Sequence, residues 1–273
     1  MEGRFRPSIL AGSWYPGSPV QLKKMIENFI GNVPDKLIKD DVYGIISPHA
    51  GYMYSGQIAA YGYRQLMGRK YDVVVIFSPM HMSGSGKYNV NTADYYETPL
   101  GQVPVCRDML DTLEKEVKLN FISGDQEHSI EIQLPFLQTV LDEFQIVPIM
   151  VGSGDTRDGT ELAEIFKGIL KNYRALIIAS SDLHHLHNYD HVVENDRKVK
   201  KVLETFDTKK IRQELAGNDC TVCGKVPIAV VMEITTKMGA KKISVLKMSN
   251  SGDITGVRER GEYTVGYMSA VII

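Results

Sequence analysis

Three short apolar runs constrain this fold more than any other feature: Val42-Tyr-Gly-Ile-Ile-Ser-Pro-His49, Val73-Val-Val-Ile-Phe-Ser-Pro-Met-His81 and Ala175-Leu-Ile-Ile-Ala-Ser-Ser-Asp-Leu-His-His185. Each ends in serine and then, within one to four residues, histidine. Runs rich in Val and Ile, bounded by turn residues and alternating with helical patterns, predict buried parallel strands. In an open parallel sheet the strand carboxyl ends lie along one rim, where ligands bind. Histidines more than thirty residues apart in sequence are therefore expected to meet in one cleft.

The rest of the chain fits around these strands. Ser18-Pro19 followed by Leu22, Met25, Ile26 and Phe29 and stopped by Gly31 predicts a first helix with an N-cap and Pro at N1. Strand 42–47, a helix from about Ser55 and strand 71–78 predict a βαβ unit with a right-handed crossover. Residues 83–105 predict a hairpin excursion beside the cleft. Then come helix 107–117, a helix near 127–142 kinked or interrupted at Pro135, strand 145–151, helix 156–171 and strand 174–181. Helices 190–205, 208–215 and 225–238 and strands 242–249 and 262–272 complete the reading. No linker or repeat divides the chain, so the expectation is one domain over 1–273, a three-layer αβα sandwich with a mostly parallel or mixed central sheet.

A formal net charge of -2 and the lack of a dense basic run disfavour nucleic acid and anionic membranes. With no signal-type or membrane-length apolar segment, a cytoplasmic protein is expected. Only Cys106, Cys220 and Cys223 are present, which predicts reduced thiols rather than a disulfide scaffold.

His49 follows a Pro-fixed strand end, and His81 repeats the strand, Ser-Pro, His design, so the two are expected to share a site. In Ser180-Ser-Asp-Leu-His-His-Leu-His187, His185 is the preferred cleft residue and Asp182 a nearby acceptor for an imidazole. His184 and His187 are expected to be solvated or packed on the loop, and His191 to lie at the surface. Glu127 and Glu131, four apart, are read as one face of a helix start, serving either acid/base work or a solvated first turn. His128 reaches the cleft only if that helix start abuts the rim.

Cys220 and Cys223 form a single Cys-x-x-Cys, too little for a zinc ribbon, although the two could pair under oxidation. Cys223 precedes a helix with Pro227 in its first turn, a place that favours a thiolate ligand or nucleophile; burial as a small core residue is the plain alternative. Two or three imidazoles, a thiolate and carboxylates suit mononuclear iron, copper or zinc better than magnesium or calcium. No Gly-x-Gly-x-x-Gly follows the first strand, there is no Walker loop, and Gly84-Ser-Gly86 and Gly152-Ser-Gly154 are too short to be nucleophile elbows.

At these residues the chain resembles the Memo family, also called protein B of the AmmeMemoRadiSam system. The likeness runs through Arg6-Pro, Ala11-Gly-Ser-Trp-Tyr-Pro16, Ser47-Pro-His-Ala-Gly-Tyr52, Glu127-His-Ser-Ile-Glu131, Ser181-Asp182 with His185, Cys223-Gly224, Ser249-Asn-Ser-Gly-Asp253 and Val265-Gly-Tyr267. The resemblance implies a fold similar to class III extradiol dioxygenases, with His49, His81 and Cys223 as metal ligands. It also implies iron or copper as cofactor, His185 and Asp182 in an acid/base or outer role, and association with AmmeMemoRadiSam partner proteins. A thiolate then stands where the dioxygenases carry a carboxylate, which shifts preference toward copper(I), zinc or thiolate-bound iron. Three functions compete: a metal-dependent redox or oxygenase-type enzyme acting on a small molecule, a non-catalytic metal- or peptide-binding module walled by Trp14 and Tyr52, and a cysteine hydrolase with Cys223 as nucleophile and His185 as base.

Overall fold

The computed structural model describes residues 3–34, 38–82, 86–152 and 154–273. Gly84, Ser85 and Ser153 of the two glycine-serine segments lie outside the described residues. The elements are β1 (Phe5–Arg6), α1 (Pro19–Gly31), β2 (Gly44–Ser47), α2 (Tyr52–Arg64), β3 (Val73–Pro79), β4 (Tyr88–Asn91), β5 (Tyr95–Thr98), β6 (Gly101–Pro104), α3 (Arg107–Glu114), β7 (Leu119–Ile122), α4 (Leu134–Val140) and β8 (Gln145–Val151). There follow α5 (Asp158–Ile169), β9 (Ala175–Ser180), β10 (His185–Leu186), α6 (Tyr189–Glu204), α7 (Thr208–Leu215), α8 (Lys225–Met238), β11 (Ile243–Asn250), α9 (Ser251–Thr255) and β12 (Thr264–Ile272).

The main sheet runs β10-β12-β2-β9-β3-β8-β4-β7, with β11 also paired to β12. Its centre, β2, β9, β3 and β8, is parallel, and antiparallel β12 and β4 border it. These central strands are buried almost throughout, as continuous Val and Ile runs require when helices cover both faces. Helices α1, α2 and α4 pack together over one face, and α3, α5, α6, α7 and α8 over the other. This is the expected three-layer fold with a mixed sheet. Register places Ser47 beside Ser180, Phe77 beside Ala179 and Pro79 beside Val151, so the strand ends form one rim.

The expected βαβ unit is β2-α2-β3, two parallel strands with β9 inserted between them, whose apolar run fits a position flanked on both sides. Three local expectations need correction. Helix α2 starts at Tyr52 rather than near Ser55, after Gly51 and without a side-chain cap to mark it. Within 83–105, β4 joins the main sheet, while β5 and β6 form the hairpin, and β5 also pairs with β1 to make a small separate sheet. Residues 127–130 are not helical: a single 3-10 turn, Glu131–Gln133, leads into α4, where Pro135 starts the helix instead of kinking it.

Candidate metal centre

The rim brings His49 and His81 together with Cys223, which the turn before α8 carries across to the end of β9. That approach depends on Gly224, whose N–H donates to Ser181 Oγ at 2.9 Å. A Cβ there would stand 2.4 Å from Ser181 Cβ and 2.8 Å from the Ser180 carbonyl oxygen. Gly224→Ala is therefore expected to cost about 1–3 kcal/mol by overpacking and to push Cys223 off the rim. Urea unfolding would show the first effect, and an unchanged midpoint would refute it.

Among the described residues, one ligand atom each from His49, His81 and Cys223 lies within 4.8 Å of the others. His49 is buried, and its Nε2 stands 3.2 Å from Cys223 Sγ. On the far side of the ring, Nδ1 is 3.0 Å from Ser180 Oγ. That hydroxyl has one proton, directed to the Ser129 carbonyl at 2.6 Å, and it already accepts from Gln133 Nε2 at 2.8 Å. Toward His49 it is left to accept, so Nδ1 carries the hydrogen and Nε2 presents its lone pair to Cys223. Burial, and then the neighbouring His128, His81 and His185, hold the imidazole well below its usual pKa, so the ring is neutral at pH 7.

His81 is held the same way by a different partner. Its Nδ1 lies 2.8 Å from Glu127 Oε1, and its backbone N–H donates to Oε2 at 2.7 Å. Burial alone would raise the Glu127 carboxyl, but the bonds from His81 and the nearby charges bring it down to about 2. An ionised acceptor again fixes the hydrogen on Nδ1 and frees Nε2. The buried Glu127 also accepts from the backbone N–H groups of His128 and Ser129 and from Ser129 Oγ. His128 borders the same carboxylate, Nδ1 to Oε1 3.2 Å, and its ring stacks on His81 at a centroid distance of 4.6 Å. Burial and His81 lower its pKa despite the opposing pull of Glu127. Although His81, Glu127 and His128 also lie within ligand distance of one another, the carboxylate oxygens there are already occupied by N–H and O–H donors.

Cys223 Sγ accepts the Asp182 N–H at 3.2 Å, while burial, and secondarily the Asp182 charge, raise its thiol above the usual range. Asp182 serves His49 rather than His185. Its Oδ1 accepts the His49 N–H at 2.8 Å and its Oδ2 lies 4.0 Å from His49 Nε2. Burial, partly offset by those backbone bonds, lifts its carboxyl to about 7. His185 bonds the Tyr263 hydroxyl through Nδ1 at 3.1 Å, and its buried Nε2 has no partner among the described residues. Burial, then His81 and His184, lower it to about 4, leaving it neutral at pH 7. The base nearest the Cys223 sulfur is thus His49, which removes the support for a Cys223–His185 hydrolase.

Trp14 is 38% exposed, and its ring centroid is 4.7 Å from that of His128, so it walls the cleft. Tyr52 does not: it is the first residue of α2, and its side chain turns under the cleft to pack on Tyr15 and Phe136 and donate to the Ile132 carbonyl. His184 is not solvated but buried against Asp196, whereas His187 and His191 are exposed. Glu131 matches neither earlier reading, since it is fully buried and bound by Arg6, Ser8, the backbone of Ile9 and Leu10, and Tyr15. Sequence reasoning passed over Glu127, Ser180 and Gln133 as the groups that orient the imidazoles. The signal available was a serine closing each strand and a carboxylate next to His128.

The donor set fits a soft or borderline transition metal: two imidazoles, each with its Nδ1 bonded to an acceptor, and one sulfur. Residues 6–271 match the family described as Memo-like protein. A MEMO1 family protein of Thermotoga neapolitana is 33% identical over 282 residues, covering 98% of this chain and 99% of that protein. One from Saccharolobus solfataricus is 35% identical over 284 residues, covering 97% and 98%. An uncharacterized protein of Escherichia coli K12 shares the fold, with a TM-score of 0.55 at 13% identity over 85% of this chain and 100% of that one. With this family match spanning both histidine strand ends, the Cys223 turn and the buried Arg6 at the far end of the chain, the protein belongs to the Memo-like family.

Proposed function

We propose that the chain binds one transition-metal ion, iron or copper in preference to zinc, through His49 Nε2, His81 Nε2 and Cys223 Sγ, and uses it in redox or oxygen chemistry on a small ligand. The observation that carries this reading is the pair of fixed tautomers: Ser180 and Glu127 each hold an Nδ1 hydrogen and so free the Nε2 lone pairs, in two rings that each place a ligand nitrogen within 4.8 Å of the other and of the thiol sulfur. A metal bound there supplies electron transfer and Lewis acidity.

The surrounding residues do the rest. Asp182, with a carboxyl near neutrality, holds or releases a proton 4.0 Å from His49 Nε2. The Nε2 of neutral His185, unpartnered among the described residues, provides a further hydrogen-bonding position. Trp14 gives an apolar wall against which a ligand loses water.

Anaerobically purified protein is expected to hold, or take up on titration, close to one equivalent of metal. Glu127→Gln should weaken that binding about 10–100-fold, the usual cost of losing the partner that orients a ligating imidazole. Protein that carries no metal and takes up none overturns the reading. Metal-loaded protein that consumes no oxygen with catechols, quinones or reductants would reduce it to binding alone.

A further inference from the structure

The opposite edge of the sheet, where β2, β9 and β3 begin, carries a second concavity that the metal cleft does not use. Its volume is about 630 Å³, within the usual span of small-molecule pockets. Its walls come from segments distant in sequence: residues 41–43 before β2, 69–71 before β3, 173–174 before β9, and the C-terminal turns of α5 and α8. The Tyr71 hydroxyl donates to the Val42 carbonyl at 2.9 Å, and the Asp72 N–H to the Arg174 carbonyl at 2.8 Å. The cavity is therefore built into the sheet edge.

Its lining is cationic. Arg69, Lys70, Lys167, Lys171, Arg174 and Lys237 stand against a single carboxylate, Asp41, among the lining residues. In a chain of formal net charge -2, that is a local concentration. Two of these cations are neutralised from outside the lining: Arg174 Nη2 donates to Asp72 Oδ1 at 2.8 Å, and Lys237 bonds Glu164. Arg69 is fixed rather than neutralised. Its Nε donates to the Gln65 carbonyl at 2.8 Å and its Nη2 to the Ile38 carbonyl at 2.6 Å, while Nη1 has no partner among the described residues. Lys70 and Lys171 are exposed and have no ion pair among the described residues either. Helix C-termini draw cations, and α5 and α8 end here, but each terminus is worth only about half a charge, less than the surplus. Tyr43, Tyr71 and Tyr173 add half-buried aromatic surface to the same cavity.

We propose that this cavity binds a small aromatic polyphosphate, of which a nucleoside diphosphate is the simplest case. The fixed guanidinium of Arg69 offers directed N–H groups to phosphate oxygens, and Lys70 and Lys171 reach the same charge from two walls. The tyrosines take the planar ring. A monocarboxylate would leave most of the positive charge unanswered. No Walker loop is needed, because side chains rather than a helix N-terminus hold the phosphates. The cavity and the metal cleft lie at opposite ends of β2, β9 and β3, so a ligand here leaves His49, His81 and Cys223 free.

Calorimetric titration of the wild-type protein with ADP at low salt should show saturable binding of about one equivalent, weakened as salt is added because the contacts lie near solvent. Pyrophosphate and adenosine, each carrying one half of the ligand, should each bind at least about tenfold more weakly. Lys70→Gln combined with Lys171→Gln, its fold checked by circular dichroism, should lower the ADP affinity about tenfold, the joint worth of two charge contacts near a surface. His49→Ala should leave that affinity unchanged. Absence of saturable ADP binding to the wild type overturns the proposal whether or not the double variant folds. So does an unchanged affinity in the folded double variant, or pyrophosphate binding as tightly as ADP. Loss of ADP binding in folded His49→Ala would place the nucleotide in the metal cleft and overturn it as well.

Discussion

Arg6→Ala is expected to destabilise the fold by about 3–5 kcal/mol, the range for removing one partner from a buried ion-pair network. The Arg6 guanidinium is 4% exposed and donates to Asp125 Oδ1 through Nη2 at 2.8 Å and to Glu131 Oε2 through Nη1 at 2.8 Å. It also donates to the Glu127 carbonyl. Deleting it leaves two carboxylates in the interior with hydrogen-bond donors but without their counter-charge, and that cost exceeds the lost packing. At about 2–4 °C per kcal/mol for a chain of this size, the melting temperature should drop by roughly 10 °C. A fall of less than a third of that would show that the pair contributes like a surface bridge. The site should feel the change as well. Glu131 gathers Ser8, the backbone of Ile9 and Leu10, and the Tyr15 hydroxyl, and this short segment carries Trp14 onto His128.

The same network shows why part of the site was not legible in sequence. Glu127 and Glu131 have the spacing of a helix face, and local spacing is all that a sequence window holds. What decides their conformation is an arginine more than a hundred residues earlier, which draws Glu131 inward while Glu127 turns to His81. Elements fixed by local chemistry were read well. The Val and Ile runs predicted β3, β8 and β9, and α7 and α8 fall at the expected 208–215 and 225–238. Short polar strands were not. In β4 the buried Asn89 and Asn91 bond the Met150 carbonyl and Asp125, so residues that look like a loop are satisfied inside a sheet. Tyr52 misled for a related reason: it follows the His49 loop, but as the first residue of α2 it faces the core. The convergence of His49 and His81 was legible because strand ends in a parallel sheet share a rim, whereas Cys223, in the turn before α8, was expected beside them only from the family resemblance. The roles of Ser180 and Glu127 were not legible, because an acceptor is defined by which proton reaches it in three dimensions.

His49→Ala should abolish tight metal binding, weakening it by more than about 100-fold, the upper end of what loss of an orienting partner alone costs. Its effect on stability should be much smaller. Ser180 Oγ keeps its bonds to the Ser129 carbonyl and Gln133, so no buried hydroxyl is stranded, and the loss is about 1–3 kcal/mol. Chelator competition alongside circular dichroism separates the two effects, and a folded variant that holds metal as tightly as wild type would sink the ligand assignment. The pH dependence then tells the ligands apart. A metal displaces the thiol proton of Cys223, and burial holds that thiol above the usual range, so affinity should rise about tenfold per pH unit through neutrality. His49, neutral already, contributes nothing to that slope. Asp182 adds to it only up to about pH 7, where its carboxyl ionises and begins to favour a nearby cation. In Cys223→Ser, accordingly, whatever binding remains should strengthen with pH below about 7 and flatten above it, whereas His49→Ala should keep the full slope at a lower level.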